Sequence, residues 1–345
     1  MQWSEDHPRP LPWKSFSDPY HIWIAEIILQ QTRVDQGTPY FEKFIEHFPD
    51  LGTLAKASVE DVLVVWEGLG YYSRARNLHH TARQVYYEMD GRFPDNSTGL
   101  QSLKGIGPYT AAAIASFAFG EQIGVVDGNV KRVISRYFDM SDEIGLPATH
   151  RKIQRLVNQV VRHYPSAGFN QAIMNFGALM CVPRQPDCTR CPANTFCKAY
   201  QLDIVEDLPF KKKSQKKQKR WLYFGIYEKD GQIAMIQNNQ SNIWKNLFLF
   251  PIIGEKPGFK SSVESHSRRS TPDLPLLGEM EWILSHRRLF IHFYRLDNRP
   301  SEWDQKQDII MVESDKIENF AIPRPLRLFL NKNSRKLGSN LNYDQ

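Results

Sequence analysis

Leu103-Lys104-Gly105-Ile106-Gly107-Pro108-Tyr109-Thr110-Ala111-Ala112 sets two glycines one residue apart directly before a proline and an alanine-rich run. Glycine lets the backbone approach a phosphate closely, and Pro108 at a first helical position leaves neighbouring N–H groups pointing outward as an anion site. The pattern is that of a helix-hairpin-helix; a bare Gly-x-Gly turn, without Pro108 and the helix behind it, would be explained by a simple tight connection. Apolar residues recur at helical spacing on both sides of this stretch and predict helices over Ile22–Gln31, Pro39–His47, Val59–Trp66, Arg74–Glu88, Thr110–Phe119, Asn129–Phe138, Thr149–His163 and Phe169–Met180. Past Asp207 a lysine-rich polar run reads as a linker, and beyond it short alternating runs predict strands over Trp221–Glu228, Gln232–Gln237, Leu247–Pro251, Trp282–Ser285 and Leu289–Leu296, with a helix or two. Gly254–Pro275 reads as a loop, and the tail after Leu330 as loose and polar.

A chain of 345 residues suits two domains that each bury a core, and a hydrophobic share of 41% excludes a largely disordered one. No apolar run reaches the roughly 18 residues of a membrane span. Met1–Asp6 lacks a basic segment followed by an apolar one, so the expectation is a cytoplasmic protein without a secretory signal and without membrane association. The net charge of +6 permits a polyanionic partner but does not by itself identify one.

Three groups of residues could carry chemistry. Glu26 is flanked by Ile22, Trp23, Ile24, Ala25, Ile27, Ile28 and Leu29 on a helix that is apolar around most of its circumference. Burial there raises a carboxyl pKa and makes a candidate general acid, although a pair with a buried arginine or a cap on a neighbouring helix would also account for it. Asp127 stands where a loop turns into a helix; backbone N–H groups and the helix dipole favour its ionised form, so its pKa is expected to fall. A plain N-cap explains Asp127 alone, but one neutral and one charged carboxyl are what cleavage of a glycosidic bond requires. Cys181, Cys188, Cys191 and Cys197 are the chain's four cysteines, spaced Cys-x6-Cys-x2-Cys-x5-Cys. Such closeness points to a metal group rather than disulfides; the wide outer gaps favour an iron-sulfur cluster, with zinc left open by spacing alone.

Leu11-Pro12-Trp13, Glu26-Ile-Ile-Leu-Gln-Gln-Thr32, Gly68-Leu-Gly-Tyr-Tyr-Ser-Arg-Ala-Arg-Asn-Leu-His79, Val126-Asp-Gly-Asn-Val-Lys-Arg132 and the cysteine spacing together resemble the helix-hairpin-helix superfamily of DNA glycosylases, and within it the adenine DNA glycosylase family. The resemblance spans about residues 8 to 330. It implies a mostly α, two-lobed glycosylase domain with an iron-sulfur cluster loop, followed by an α+β Nudix-like domain. The expected boundaries are 1–206 for the catalytic domain, with one lobe at about 20–115 and the cluster lobe formed by 1–19 plus 116–206; 207–219 for the basic linker; and 220–345 for the Nudix-like domain. One 4Fe-4S cluster on the four cysteines is implied, as is a double-stranded DNA partner bearing adenine opposite 8-oxoguanine or guanine, bound by a monomer.

The same resemblance implies roles for single residues. Glu26 would protonate adenine at N7, Asp127 would stabilise the cationic sugar, and Tyr109 and Asn129 would support them, once the base has been turned out of the duplex. Arg9, Trp13 and Gln171 would line the adenine pocket. Gln30, Gln31, Tyr71, Lys104, Gly105 and Gly107 would contact DNA, with Gln31 and Tyr71 filling the gap left in the helix. Thr32, Ser285 and His286 would recognise 8-oxoguanine. Three positions depart from the family pattern: Leu284 replaces a usual Phe, Lys14 a common Arg and Lys104 a usual Pro. The superfamily's lyase branch, which resembles endonuclease III, carries a nucleophilic lysine where this chain has Tyr109, so a monofunctional hydrolase is expected. The rivals are such a lyase acting on pyrimidines and a DNA-binding protein that has lost catalysis.

Overall fold

The computed structural model describes residues 1–212, 217–240, 243–255, 274–300, 303 and 309–333. Residues 213–216 of the expected linker, Asn242, most of the loop expected at Gly254–Pro275 and the tail beyond 333 lie outside them. The chain divides into two units, Met1–Ala57 with Arg76–Lys213 and Ser58–Ala75 with Ser214–Gln345. Among the described residues no helix is long and apolar enough to cross a membrane.

The first unit is helical. Its centre is a pair of helices, Pro19–Ile28 and Pro108–Phe119, which pack on each other. Each is apolar on nearly every side, which is the composition of a helix buried all round. The expected helices beginning at Ile22, Thr110, Asn129 and Thr149 start instead at Pro19, Pro108, Gly128 and Pro147. Proline or glycine fills those first turns, where apolar periodicity is silent. The first helix ends at Ile28 rather than Gln31, because Gln31 takes a left-handed backbone with φ 62°.

The hairpin joins the helix Ser97–Gln101 to Pro108–Phe119. Leu103 and Ile106 are buried beneath it, while Lys104, Gly105 and Gly107 are exposed. Thr81 Oγ1 donates to the Lys104 carbonyl at 2.7 Å, and a Cβ on Gly105, whose φ is 83°, would come within 2.7 Å of Asn77 Cβ. Helix Gly128–Tyr137 packs against Ser166–Leu179 so closely that a Cβ on Gly177 would stand 2.7 Å from Asn129 Cβ.

The second unit is built on strands β1 (Gln218–Lys229), β2 (Gln232–Gln237), β3 (Phe248–Leu249), β4 (Ile252–Gly254), β5 (Leu276–Ile283), β6 (Arg287–Leu296) and β7 (Ile309–Glu313). Their order is β3-β2-β1-β6-β5, with β4 on β1 and β7 on β2. β1 and β6 are parallel from Gln218↔Arg287 to Tyr227↔Leu296, and the other pairs are antiparallel. Leu222, Phe224 and Ile226 of β1 and Leu289, Ile291 and Phe293 of β6 face one core, closed by Leu326, Phe329 and Leu330 of the helix Arg324–Asn333. β7 escapes the sequence reading, and β5 runs six residues further back than expected; Glu279 and Glu281 on its exposed side dilute the apolar signal.

The loop between β2 and β3 is tied by Asn238, whose Nδ2 donates to the Ile243 carbonyl at 3.0 Å and whose carbonyl accepts from Asn246 N at 2.7 Å. Asn246 takes φ 64°, and its Oδ1 is buried with no hydrogen-bond partner among the described residues. Glycine would keep the backbone bond while removing both the strain and the unpaired acceptor. Asn246→Gly is therefore expected to raise the midpoint of urea unfolding, by about 1 kcal/mol of stability; a lowered midpoint would show that the amide stabilises the loop.

Candidate active site

Asp18 caps the first central helix by accepting from His21 N at 3.1 Å, and Pro19 opens it. This start buries every residue from Ile22 to Ile28, Glu26 among them at 6% exposure. Tyr109, second residue of the neighbouring helix, donates its phenol hydrogen to Glu26 Oε2 at 2.6 Å. Burial raises the Glu26 pKa to about 7, against the pull of that hydrogen bond and with help from the charge of Asp127. The Tyr109 phenol, itself buried beside two carboxyls, is pushed far up and stays a donor.

Asp127 caps the helix Gly128–Tyr137, accepting from Val130 N at 2.7 Å on one oxygen and from Asn129 Nδ2 at 2.7 Å on the other. Here the structure corrects the sequence expectation: the Asp127 pKa is raised, because burial outweighs the capping bonds and the charge of Arg132. The two acids remain unequal. One hydrogen bond opposes burial at Glu26, whereas Asp127 has two bonds from Asn129, one from Val130 and an arginine charge.

Both carboxyls line one cavity of about 1430 Å³ within the first unit. Arg9, Trp13 and Gln171 stand on its wall; Trp13 is held edge-on against Phe41 at 5.6 Å, and Gln171 Nε2 donates to Asn175 Oδ1 at 2.9 Å. Gln30, Gln31, Thr32, Tyr109 and Asn129 also reach it, and Gln30 Nε2 donates to Thr110 Oγ1 at 3.2 Å. The hairpin residues Lys104, Gly105 and Gly107 do not line it. Tyr71, Ser285 and His286 belong to the second unit. There Tyr71 is 44% exposed with φ 47°. Ser285 and His286 form the exposed tip between β5 and β6, with Ser285 Oγ 3.0 Å from His286 Nδ1. Leu284, in place of the usual Phe, is half-buried against the sheet core rather than projecting.

The four cysteines form no disulfide and line one small cavity together with Arg136. Cys188 is raised by burial and then by each of the other three, so all four share one electrostatic neighbourhood. Among the described residues no three His, Cys, Asp or Glu side chains converge as a single metal ion would require. Arg136 Nη1 lies 3.5 Å from Cys181 Sγ and donates to the Val182 carbonyl at 2.7 Å. Arg132 was not singled out in the sequence: its Nη2 donates to Asn129 Oδ1 at 3.0 Å and its Nε to the Cys181 carbonyl at 2.7 Å. It thereby links the side chain that holds Asp127 to the cysteine loop. Two arginines four residues apart on the helix that Asp127 caps were the available signal.

This fold and pair of acids define a class. Residues 24–163 match the HhH-GPD superfamily of base excision DNA repair proteins, and residues 222–332 match the NUDIX domain. Among solved structures the chain is similar to a thermostable thymine-DNA glycosylase, with TM-score 0.53 and 32% identity over 58% of this chain and 92% of that one. An endonuclease III–DNA covalent intermediate, at 19% identity and TM-score 0.51, shares the fold.

Within the class the likeness narrows. The chain is 32% identical to the adenine DNA glycosylase of Buchnera aphidicola subsp. Baizongia pistaciae over 94% of its own length and 92% of the relative's. It is 39% identical to the human adenine DNA glycosylase over 60% of its length and 40% of that protein's. The chain belongs to the adenine DNA glycosylase family.

A carboxyl whose pKa is higher folded than unfolded stabilises the protein fully at low pH and loses that contribution as pH rises between the two values. For Glu26 the window runs from 4.5 to about 7, a loss on the order of 3 kcal/mol. Glu26→Gln keeps an acceptor for Tyr109 and cannot ionise, so its urea midpoint is expected to fall less across that window than the wild type's. Parallel curves would mean that Glu26 does not titrate high.

Proposed function

We propose that this chain is a monofunctional DNA glycosylase that hydrolyses the N-glycosidic bond of adenine mispaired with 8-oxoguanine or guanine. The observation that carries the reading is that Glu26 and Asp127 face one cavity, with Tyr109 donating to a single oxygen of Glu26. The other oxygen is left to carry the acid proton. Glu26 gives that proton to adenine N7, the bond from the sugar to N9 breaks, and its electrons leave with the neutral base. Asp127, held in place by Asn129 and Val130, faces the developing sugar cation as a carboxylate. Water adds at the sugar carbon and passes a proton to the carboxylates, leaving an abasic site. Arg9, Trp13 and Gln171 form the wall against which an extruded adenine would lie.

Position 109 holds a phenol where a lyase needs an amine, which supports simple hydrolysis; Lys14 is on the cavity wall, whereas Lys104 is not. Gln30, Gln31, Tyr71, Lys104, Gly105 and Gly107 are assigned to DNA contact, and Thr32, Ser285 and His286 to recognition of the oxidised guanine. In this reading residues 1–206 are catalytic, 207–219 link, and 220–345 read the opposite base, in a cytoplasmic monomer.

Cys181, Cys188, Cys191 and Cys197 fit one 4Fe-4S cluster, since four thiols surround a common cavity and Arg136 offers a positive charge to one of them. Bound there, the group would cross-link the cysteine loop to the helices around it; no step of the reaction passes through it.

Single-turnover assays on adenine:8-oxoguanine duplex test the function. The wild type is expected to release adenine and leave no borohydride-trapped adduct, and Glu26→Gln to lose on the order of 10²-fold or more in rate with duplex binding kept. The wild-type rate should fall as pH rises through about 7, where Glu26 loses its proton. Equal cleavage by both proteins, or a trapped adduct, would overturn the mechanism. Anaerobically purified protein should contain iron and acid-labile sulfide in equal amounts, and Cys188→Ser should lower both with the melting temperature; iron-free, zinc-loaded protein would contradict the cluster.

A further inference from the structure

Ser58–Ala75 lies inside the 24–163 match to the helix-hairpin-helix superfamily, yet it packs as part of the unit that carries the sheet. One contact within that unit spans 260 residues. Arg327 Nε donates to Glu67 Oε1 at 2.7 Å and Arg327 Nη2 to Glu67 Oε2 at 2.8 Å, a two-pronged pair with side chains 15% and 18% exposed. Such a fork fixes direction as well as distance.

Both ends of the pair are mounted rigidly. Arg327 also donates to the carbonyls of Phe320 at 2.9 Å and Ile317 at 3.3 Å, and its helix places Leu326 and Phe329 in the sheet core. Glu67 follows Trp66, which is fully buried and donates its indole N–H to the Gly70 carbonyl at 3.1 Å. Arg74 lies over the rings of Trp66 and Tyr71, at 5.2 and 5.5 Å. Between these anchors Tyr71 projects with φ 47°. A tyrosine in the left-handed region costs about 1 kcal/mol or more and persists where its surroundings over-determine it.

We propose that Arg327 is a positioning residue: through Glu67 it fixes the Gly68–Tyr71 loop on the unit that presents Ser285 and His286, so that the loop's tyrosine and the opposite-base contacts act as one body. The inference rests on the proposed function for its consequence in catalysis. Without the pair the loop keeps its sequence but loses its mount, and adenine excision loses its dependence on the opposite base. Neither Arg327 nor Glu67 touches the reacting atoms.

Hydrogen exchange and single-turnover kinetics on the full chain test this with Arg327→Ala, the near-isosteric Glu67→Gln, and the double variant. Amides 66–74 should exchange roughly tenfold faster in each single variant, and the double should exceed neither. On adenine:8-oxoguanine and adenine:guanine duplexes, the ratio of the two rates should fall several-fold in each variant while the slower rate stays within about twofold of wild type. Unchanged exchange in Glu67→Gln, or additive effects in the double, overturns the latch. Wild-type protein that releases adenine from neither duplex overturns the proposed function instead, and the exchange data then decide the latch alone.

Discussion

The hydrogen bond from Tyr109 to Glu26 crosses between two helices that are apolar on nearly every side. A carboxyl placed there has lost its water, and a single phenol cannot restore what hydration supplied, so the proton is held to about pH 7. The rest of the first unit serves this placement. Thr81 and Asn77 seat the hairpin, and the hairpin sets the point at which the Tyr109 helix starts. A shift of one residue in that start would rotate the phenol about 100° around the helix axis, away from Glu26.

The second acid is governed by other means. Asp127 is also buried, but its oxygens are met by Asn129 and Val130, and Asn129 is met in turn by Arg132. Arg132 and Arg136 are 8% and 2% exposed, a costly arrangement unless each donor finds an acceptor. Backbone carbonyls of Gly177, Cys181, Val182, Pro183 and Leu208 supply them. The start of the cysteine loop, Cys181 to Pro183, thus supplies three of the five acceptors for the arginines on the helix that Asp127 caps.

Much of this was legible in the chain. Glu26 stood out because a charged residue inside seven apolar neighbours conflicts with its surroundings, and the cysteines because four thiols fall in one short stretch. The direction of the Asp127 shift was misread, since a cap is visible in sequence but the depth of burial around it depends on helices more than 40 residues away, such as that of Asn170 and Gly177. β7 was missed because its partner β2 lies some 75 residues earlier and no local turn announces it. The ion pair of Glu67 and Arg327 leaves no periodic trace at all, being made by two isolated residues whose neighbourhood exists only after folding.

That pair also orders events at the ribosome. A chain growing at about 5 to 20 residues per second needs roughly ten seconds to a minute to add the 260 residues that separate Glu67 from Arg327. Throughout that interval Glu67 lacks Arg327, and the strands, made only from Gln218 onward, lack the helix that closes their core. Until translation nears its end, the loop carrying Tyr71 lacks the two-pronged contact that orients Glu67 in the finished protein.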